Sequence, residues 1–95
     1  MKSSIASVVA ERRLELSGGS TVHDVCVFVG APVGSEDKQD YSCEIQILGL
    51  GDEEVRRIYG FDSMQALQLA LKFVSAQLDS YRQNLRWCGD RDIGF

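Results

Sequence analysis

The sequence has no paired cysteine motif and no long apolar segment. Its three cysteines, Cys26, Cys43 and Cys88, are far apart and form no C-x-x-C pair, which argues against a zinc knuckle and a redox dithiol. No stretch approaches the roughly 20 apolar residues of a membrane span, and the N-terminus lacks the long apolar core of a secretory signal. We therefore expect a soluble cytoplasmic protein with reduced thiols and no membrane partner.

Basic charge is also scarce. The 95 residues carry 14 acidic and 10 basic side chains, which gives a formal net charge of −4. Nucleic-acid binding usually needs a basic face that neutralises phosphates, so nucleic acid is not an expected partner. Hydrophobic residues at 44 % and charged residues at 25 % are ordinary globular values, and the length fits a single domain over residues 1–95.

Catalytic and ligand-binding motifs are missing as well. His23 is the only histidine, and Cys26 follows it three residues later in a strand-like run, so their side chains point to opposite faces. The "GLGD" run at 49–52 lacks the Gly-Lys-Ser/Thr of a phosphate-binding loop. Asp90 and Asp92 lack the spacing and the terminal glutamate of a calcium loop. The sequence therefore predicts no enzyme, no cofactor and no metal site.

The first pattern that is present indicates a β-hairpin over residues 7–30. Two apolar runs flank glycines 18 and 19, which we expect to form the two-residue turn. That turn predicts Leu14 opposite His23 and Arg13 opposite Asp24. Directly opposed residues share a face, so one face collects the apolar residues Val8, Ala10, Leu14, Leu16, Val25, Val27 and Val29.

The middle of the chain reads as a loop followed by strands. Residues 31–40 contain the only proline and a charged run, which predicts a loop. From residue 41, "YSCEIQIL" alternates between the two faces, as in a half-buried strand. Residues 41–60 are therefore assigned to strands, with a helical turn as the alternative for 53–60. Residues 1–6 carry no strong pattern and are a candidate for disorder.

A long helix is predicted for residues 62–82. Asp62 can accept the free amide N–H groups of the first turn, and Gln65 stands at the reciprocal position of a capping box. Residues 85–95 follow as a short strand and a tail. Together these elements predict an α+β fold, in which one long helix packs on one face of an antiparallel sheet of four to five strands.

This helix carries more apolar surface than one sheet contact needs. At about 100° per residue, one apolar stripe comprises Leu67, Leu71, Val74, Leu78 and Tyr81. A second stripe beside it comprises Leu69, Phe73, Ala66 and Ala76. We expect the sheet to cover the first stripe, and either the C-terminal tail or a second copy of the chain to cover the second. An external partner is the remaining alternative. The candidate interaction surface comprises Ala66, Leu69, Phe73, Ala76, Phe28, Trp87 and Phe95.

Three short runs have the character of a family signature. They are "YSC" at 41–43, "GLG" at 49–51, and "YGFDSMQALQLAL" at 59–71 around the start of the helix. In these runs the chain resembles a family of small bacterial proteins of unknown function. The resemblance implies a bacterial, cytosolic stand-alone domain, and it brings no catalytic residues.

These observations favour a small non-enzymatic protein–protein interaction module that self-associates as a homodimer. The motivation is the apolar surplus on the helix, together with Phe28 outside the hairpin core. One alternative is an inhibitor or immunity-like partner of another bacterial protein, which the acidic surface permits. A third reading is a small-ligand-binding or enzymatic domain, which would need a pocket beside the proline loop that uses His23, Asp24 or Tyr41.

Overall fold

The chain forms an antiparallel sheet with a helix on one of its faces. The computed structural model describes residues 1–37 and 39–95. The predicted α+β class is confirmed. In chain order the elements are β1 (Val8–Gly18), β2 (Thr21–Gly30), β3 (Val33–Gly34), β4 (Tyr41–Leu48), β5 (Arg56–Gly60), α1 (Ser63–Leu78), a 3₁₀ helix (Asp79–Asn84) and β6 (Leu85–Arg86).

Across the sheet the strands lie in the order β6, β1, β2, β4 and β5, with the short β3 continuing β2. Ile45 of β4 pairs with both β2 and β5, and Tyr41 of β4 pairs with both β3 and β5. Because a strand has only two edges, β2 and β3 must occupy the same edge of β4. Arg56–Gly60 is thus a strand, which decides between the two alternatives for residues 53–60.

The β1–β2 hairpin turns one residue later than predicted. Gly18 pairs with Thr21, so the two-residue turn consists of Gly19 and Ser20. Gly19 takes a φ of +61° at the first position of the turn, where such hairpin turns require a positive φ.

The later turn changes every opposed pair in the hairpin. The predictions of Leu14 opposite His23 and Arg13 opposite Asp24 are wrong. Arg13 pairs with Cys26, and the partner of Leu14 also lies two residues further along β2 than predicted. A shift of two residues leaves each side chain on its predicted face. The alternation of apolar residues therefore could not distinguish the two registers.

Residues 31–40, predicted as a loop, contain the short strand β3. Val33 pairs with Ser42, and four residues earlier Val29 pairs with Ile45. The β2–β3 side therefore has one residue more than β4 over this stretch. The strand bulges around Pro32, which has no N–H to pair. Position 38 of the predicted loop lies outside the described residues.

Helix α1 begins at a cap of the predicted kind. The Gln65 N–H donates to Asp62 Oδ1 at 2.7 Å, and Gln65 Oε1 accepts from the Phe61 N–H at 2.7 Å. The Gln65 side chain therefore binds the N–H of Phe61, the residue before the cap, and not the N–H of the cap Asp62 itself. The α-helix ends at Leu78 and continues as a 3₁₀ helix, whereas an α-helix to residue 82 was predicted.

The row of helix residues that contacts the sheet draws on both predicted stripes, with Val74 and Leu78 from the first and Ala66 from the second. The helix packs mainly on β4 and β5, and its buried residues are Ala66, Ala70, Val74 and Leu78. The prediction that the sheet covers the first stripe therefore holds for Val74 and Leu78, whereas Leu67 is half-buried and Leu71 is 39 % exposed. Because the first two buried residues are alanines, the helix backbone comes close to the sheet and the larger side chains spread to both flanks.

The first seven residues, the strap, cross the outer face of the sheet. Ile5 is buried there and forms the outer cluster with Cys26, Phe28 and Leu48. Disorder was considered for residues 1–6, but the structure places this segment in contact with the sheet.

The last six residues, the tail, return over the helix side of the sheet. Trp87 and Asp90 exchange backbone hydrogen bonds of 2.9 and 2.8 Å across a tight turn. Beyond this turn Ile93 is buried in the main core, which lies between the helix and the sheet and includes Leu14, Val27, Ile45 and Leu85. Within the described residues, no helix combines the length and apolarity needed to cross a membrane.

Candidate interaction surface

Two of the predicted surface residues lie inside the chain. Phe28 is only 5 % exposed because the strap covers it, and Ala66 is fully buried against the sheet. Neither can form part of an exposed surface. Cys26 and Phe28 on the outer face of the hairpin therefore have a cover that belongs to the chain itself, whereas Val9 and Val22 are exposed.

The other predicted residues divide between the two flanks of the helix. Leu69, Phe73 and Ala76 lie on one flank, where Leu69 is 37 % exposed, Phe73 is half-buried and Ala76 is exposed. Trp87 and Phe95 pack against the main core on the side of β1. The structure therefore does not bring the predicted residues together into one patch.

Two arginines hold the tail. The Arg12 guanidinium stacks on the Trp87 ring at 3.7 Å from its centroid and donates to the backbone oxygen of Ile93 at 3.1 Å. Arg82 donates to the backbone oxygen of Phe95 at 2.9 Å. These contacts join β1, the tail and the 3₁₀ helix on one side of the molecule.

The tail consequently lies on the flank opposite to the one it was expected to cover. Arg82, which binds the tail, also donates to Ser75 Oγ at 2.6 Å, and Ser75 shares a helix flank with Leu71. The expectation that the tail covers Leu69 and Phe73 is therefore wrong.

An open apolar groove of about 410 Å³ begins where the tail ends. Leu71, which is 39 % exposed, lines one wall, and Ala10 lines the other. Val27 and Val29 of β2 form the floor, and Phe95 lies at one end. The groove exists because the helix sits over β4 and β5 and leaves the far half of the hairpin uncovered.

The edge of β1 beside this groove is open. In the part of the chain that the structure describes, β6 pairs with β1 only at Glu15 and Leu16. The remainder of the edge, from Val8 to Arg13, has no strand partner among those residues. A register shift between Val8 and Ala10 marks a bulge at the beginning of the strand.

A small polar cleft lies on the other flank of the helix, beside Phe73. Its volume is about 100 Å³, and Arg56 pairs within it with Asp52 at 2.6 Å and with Glu54 at 3.8 Å. The Glu54 N–H and the Arg56 guanidinium lower the pKa of Asp52. Arg56 neutralises one of the two carboxylates, so these three side chains leave one net negative charge at the cleft.

His23 and Tyr41, two of the residues named for a ligand-binding or enzymatic pocket, lie apart. His23 Nε2 lies 3.1 Å from the backbone oxygen of Gly49, near the turn of the hairpin. Tyr41 pairs with β3 at the opposite end of the sheet. Among the described residues, no group of three or more histidine, cysteine, aspartate or glutamate side chains is placed to hold a metal ion.

The thiols are free and two of them are packing groups. Cys26 lies in the outer cluster and Cys43 in the main core, while Cys88 is exposed. Burial raises the pKa of Cys43 and so disfavours its thiolate. Cys26 and Cys43 are therefore packing residues of the two clusters.

Residues 10–95 match a family described as a domain of unknown function. The chain belongs to the DUF6968 family. This confirms the predicted membership in a family of unknown function. No curated protein and no solved structure matches the chain.

In this DUF6968 domain, Gly49 and Gly60 stand where the backbone leaves no room for a side chain. A Cβ on Gly60 would lie 2.5 Å from the Ala66 nitrogen, so β5 and the first turn of the helix touch backbone to backbone. Gly49 has a φ of +105°, and a Cβ there would lie 2.5 Å from the backbone oxygen of Asp24. The fold therefore requires a glycine at both positions.

Sequence reasoning missed two features of the DUF6968 surface. The open edge of β1 follows from the unequal lengths of β1, with 11 residues, and β6, with 2 residues, which a local pattern does not reveal. The strap has one local signal, the isolated Ile5 in an otherwise small and polar segment.

Proposed function

We propose that the DUF6968 domain is a non-enzymatic protein–protein interaction module and that two copies associate along the open edge of β1. The observation that carries the proposal is the edge at Ala10–Arg13, which has no strand partner among the described residues and has an apolar groove directly beside it. An unpaired strand edge offers backbone N–H and C=O groups to another strand. The groove offers apolar side chains that a second copy can bury.

The charge pattern of β1 supports an antiparallel pairing with a second β1. Glu11 and Arg13 are exposed, carry opposite charges and lie on the same face of the strand. In an antiparallel pair centred on Arg12, Glu11 of each copy stands opposite Arg13 of the other. Two-fold symmetry then produces two favourable pairs, and it places both grooves on the same face of one continuous sheet.

The other outer strand, β5, is a weaker candidate. It has five residues, and its two arginines already pair within the chain, Arg56 with Asp52 and Arg57 with Glu44. A second copy would have to compete with these pairs. Among the described residues, neither Glu11 nor Arg13 forms an ion pair of 4.0 Å or less within the chain.

The state of the thiols supports a cytoplasmic location for this module. The cysteines are free, and Cys88 is exposed. Free exposed thiols persist in a reducing compartment, whereas oxidising compartments favour disulfides. The cytoplasm is therefore part of the same proposal.

Charge reversal at the edge tests the proposed pairing. Glu11→Arg and Arg13→Glu should each weaken self-association by roughly tenfold or more, because each change turns two attractive cross-strand pairs into repulsive ones. An equimolar mixture of the two variants should regain wild-type affinity, since the reversed charges complement each other. Sedimentation equilibrium over a concentration series measures both effects.

Arg57→Glu on β5 is the matched control, and it should leave association unchanged. A wild-type chain that sediments as a monomer throughout the series would contradict the proposal. A mixture of the two β1 variants that associates no better than either variant alone would also contradict it.

A further inference from the structure

Three of the seven arginines of this acidic chain line one open cavity at the end of the 3₁₀ helix. The cavity, here called the arginine pocket, has a volume of about 660 Å³. Its lining residues all carry N–H donors on their side chains, and none of the described acidic residues is among them: Arg82, Gln83, Asn84, Arg86 and Arg91. We propose that the arginine pocket binds the phosphate group of a small molecule. This inference does not depend on self-association, because the pocket shares no lining residue with the apolar groove beside β1.

The Arg86 guanidinium is fixed at this pocket without a carboxylate partner. Its Nη1 donates to the backbone oxygens of Gln83 at 2.9 Å and Leu85 at 2.7 Å. Glu15 is the register partner of Arg86 across the β1–β6 pair, yet no carboxylate oxygen of the described residues lies within 4.0 Å of the guanidinium. The half-buried Arg86 therefore holds an oriented positive charge, and its Nη2 and Nε groups form no hydrogen bond with the described residues.

Arg91 supplies a second positive charge at the same pocket. Its side chain is exposed and forms no ion pair with the part of the chain that the structure describes. The carboxylates of Asp90 and Asp92 on either side of it accept backbone N–H groups instead, both at 3.0 Å. These two carboxylates line a separate cavity beside Trp87. The charge of Arg91 is therefore available to a ligand.

Arg82 forms a wall of the pocket whose charge is already balanced. Its Nε pairs with Asp79 at 2.6 Å, and its other nitrogens bind Ser75 Oγ at 2.6 Å and the backbone oxygen of Phe95 at 2.9 Å. These bonds hold the guanidinium in place. The net positive charge that a ligand meets comes from Arg86 and Arg91.

Two guanidinium groups without carboxylate partners match a phosphate group better than a carboxylate. A phosphate monoester carries a charge of about −1.5 to −2 at pH 7, whereas a carboxylate carries one negative charge. Phosphate oxygens also accept paired hydrogen bonds from the planar fork of an arginine. The side-chain amides of Gln83 and Asn84 add neutral donors around the two charges. The volume of the pocket lies within the range of roughly 300–1,000 Å³ of small-molecule sites.

The surroundings of the pocket favour a small phosphate compound over a nucleic acid. The chain has a net charge of −4, and Asp79, Asp90 and Asp92 are sequence neighbours or ion-pair partners of the pocket arginines. An extended polyanion would meet these carboxylates, and nucleic-acid binding usually needs a continuous basic face. A small molecule can place its phosphate group between Arg86 and Arg91 without leaving the pocket.

Titration of the full chain with inorganic phosphate, pyrophosphate and adenosine triphosphate at constant ionic strength tests this inference. Nuclear magnetic resonance of the arginine Nε–H groups should show saturable shifts at Arg86 and Arg91. Arg86→Gln and Arg91→Gln should each weaken the affinity by roughly tenfold, because each removes a charged hydrogen-bond donor. Arg91→Gln keeps the test independent of folding, since Arg91 is exposed and forms no side-chain hydrogen bond with the described residues. Arg57→Gln on β5 is the matched control, which removes the same charge and should leave the affinity unchanged.

The probe that binds most tightly identifies the source of the phosphate group as a free ion, a phosphate chain or a nucleotide. No saturable binding of any of the three probes at millimolar concentration would overturn the inference. Unchanged affinity in both pocket variants would also overturn it, and so would an equal loss in Arg57→Gln, because net charge alone would then govern binding. Citrate that binds as tightly as pyrophosphate would assign the pocket to carboxylates instead. A single-stranded oligonucleotide that binds more tightly than all three probes would overturn the assignment to a small molecule.

Discussion

Replacing Gly60 with alanine tests the closest approach between the sheet and the helix. The added Cβ would lie 2.5 Å from the Ala66 nitrogen, 2.9 Å from the Ala66 Cα and 3.0 Å from the Gln65 carbonyl carbon. Optimal non-bonded contacts between such atoms are about 3.5–4.0 Å long. All three are backbone atoms of the first helical turn, so the clash cannot be relieved by turning a side chain.

The expected loss of stability is large for a chain of this size. Overpacking a core usually costs about 1–3 kcal/mol, and we expect the upper half of this range because the helix itself must move. At roughly 0.05–0.15 kcal/mol per residue, the whole domain has about 5–14 kcal/mol of stability. A loss of about 2–3 kcal/mol corresponds to a fall of roughly 10–20 °C in the melting temperature.

Gly18→Ala is the matched control for this prediction. Gly18 also ends a strand, but no atom lies within 4 Å of its added Cβ and its φ is not positive. This variant should be neutral or more stable by up to about 1 kcal/mol, because alanine restricts the unfolded chain. Urea unfolding followed by circular dichroism compares the two. Stabilities that agree within about 0.5 kcal/mol would refute the proposed close contact.

Two further predictions concern exposed and half-buried charges. Arg12→Ala should loosen the tail and lower the free energy of unfolding by about 2 kcal/mol, since it removes a stacking contact and a charged hydrogen bond. Arg91→Ala is the control. Equal unfolding curves for the two variants would contradict the role of Arg12. The Glu54 N–H and Arg56 lower the pKa of Asp52 in the folded chain. Ionised Asp52 therefore stabilises the fold above the unfolded pKa of about 3.9, and this contribution is lost as the pH falls through the lower folded pKa. Asp52→Asn should therefore be less stable than wild type at pH 7, with a difference that shrinks in acid, and a constant difference in urea titrations across that pH range would contradict this.

The elements that were predicted well depend on neighbours in sequence. The helix cap at Asp62 needs only a carboxylate and the amide three residues later, so its position follows from the local pattern. The faces of β1 and β2 follow from alternation, which also survives a two-residue change of register. The hairpin register does not follow, because the run of small residues at 17–20 allows more than one tight turn.

The candidate surface was predicted poorly because the burial of a side chain depends on segments that are distant in sequence. Phe28 and Leu69 look alike in sequence as apolar residues on an unassigned face. The strap, which joins the sheet more than 40 residues away in sequence at Gln46, buries Phe28. No described segment covers Leu69 to the same degree, because the tail is drawn to the opposite flank by Arg12 and Arg82.

By itself, the sequence determined the α+β class, the capped helix, the alternating strands and the absence of a recognisable catalytic motif, since these depend on periodicity and on residue types a few positions apart. Only the tertiary structure decided which helix row meets the sheet, where the strap and the tail lie, and which strand edge stays open. Those outcomes depend on the small size of Ala66 and Ala70 and on single hydrogen bonds between segments that are remote in sequence. A local sequence pattern predicts neither the close packing nor the hydrogen bonds.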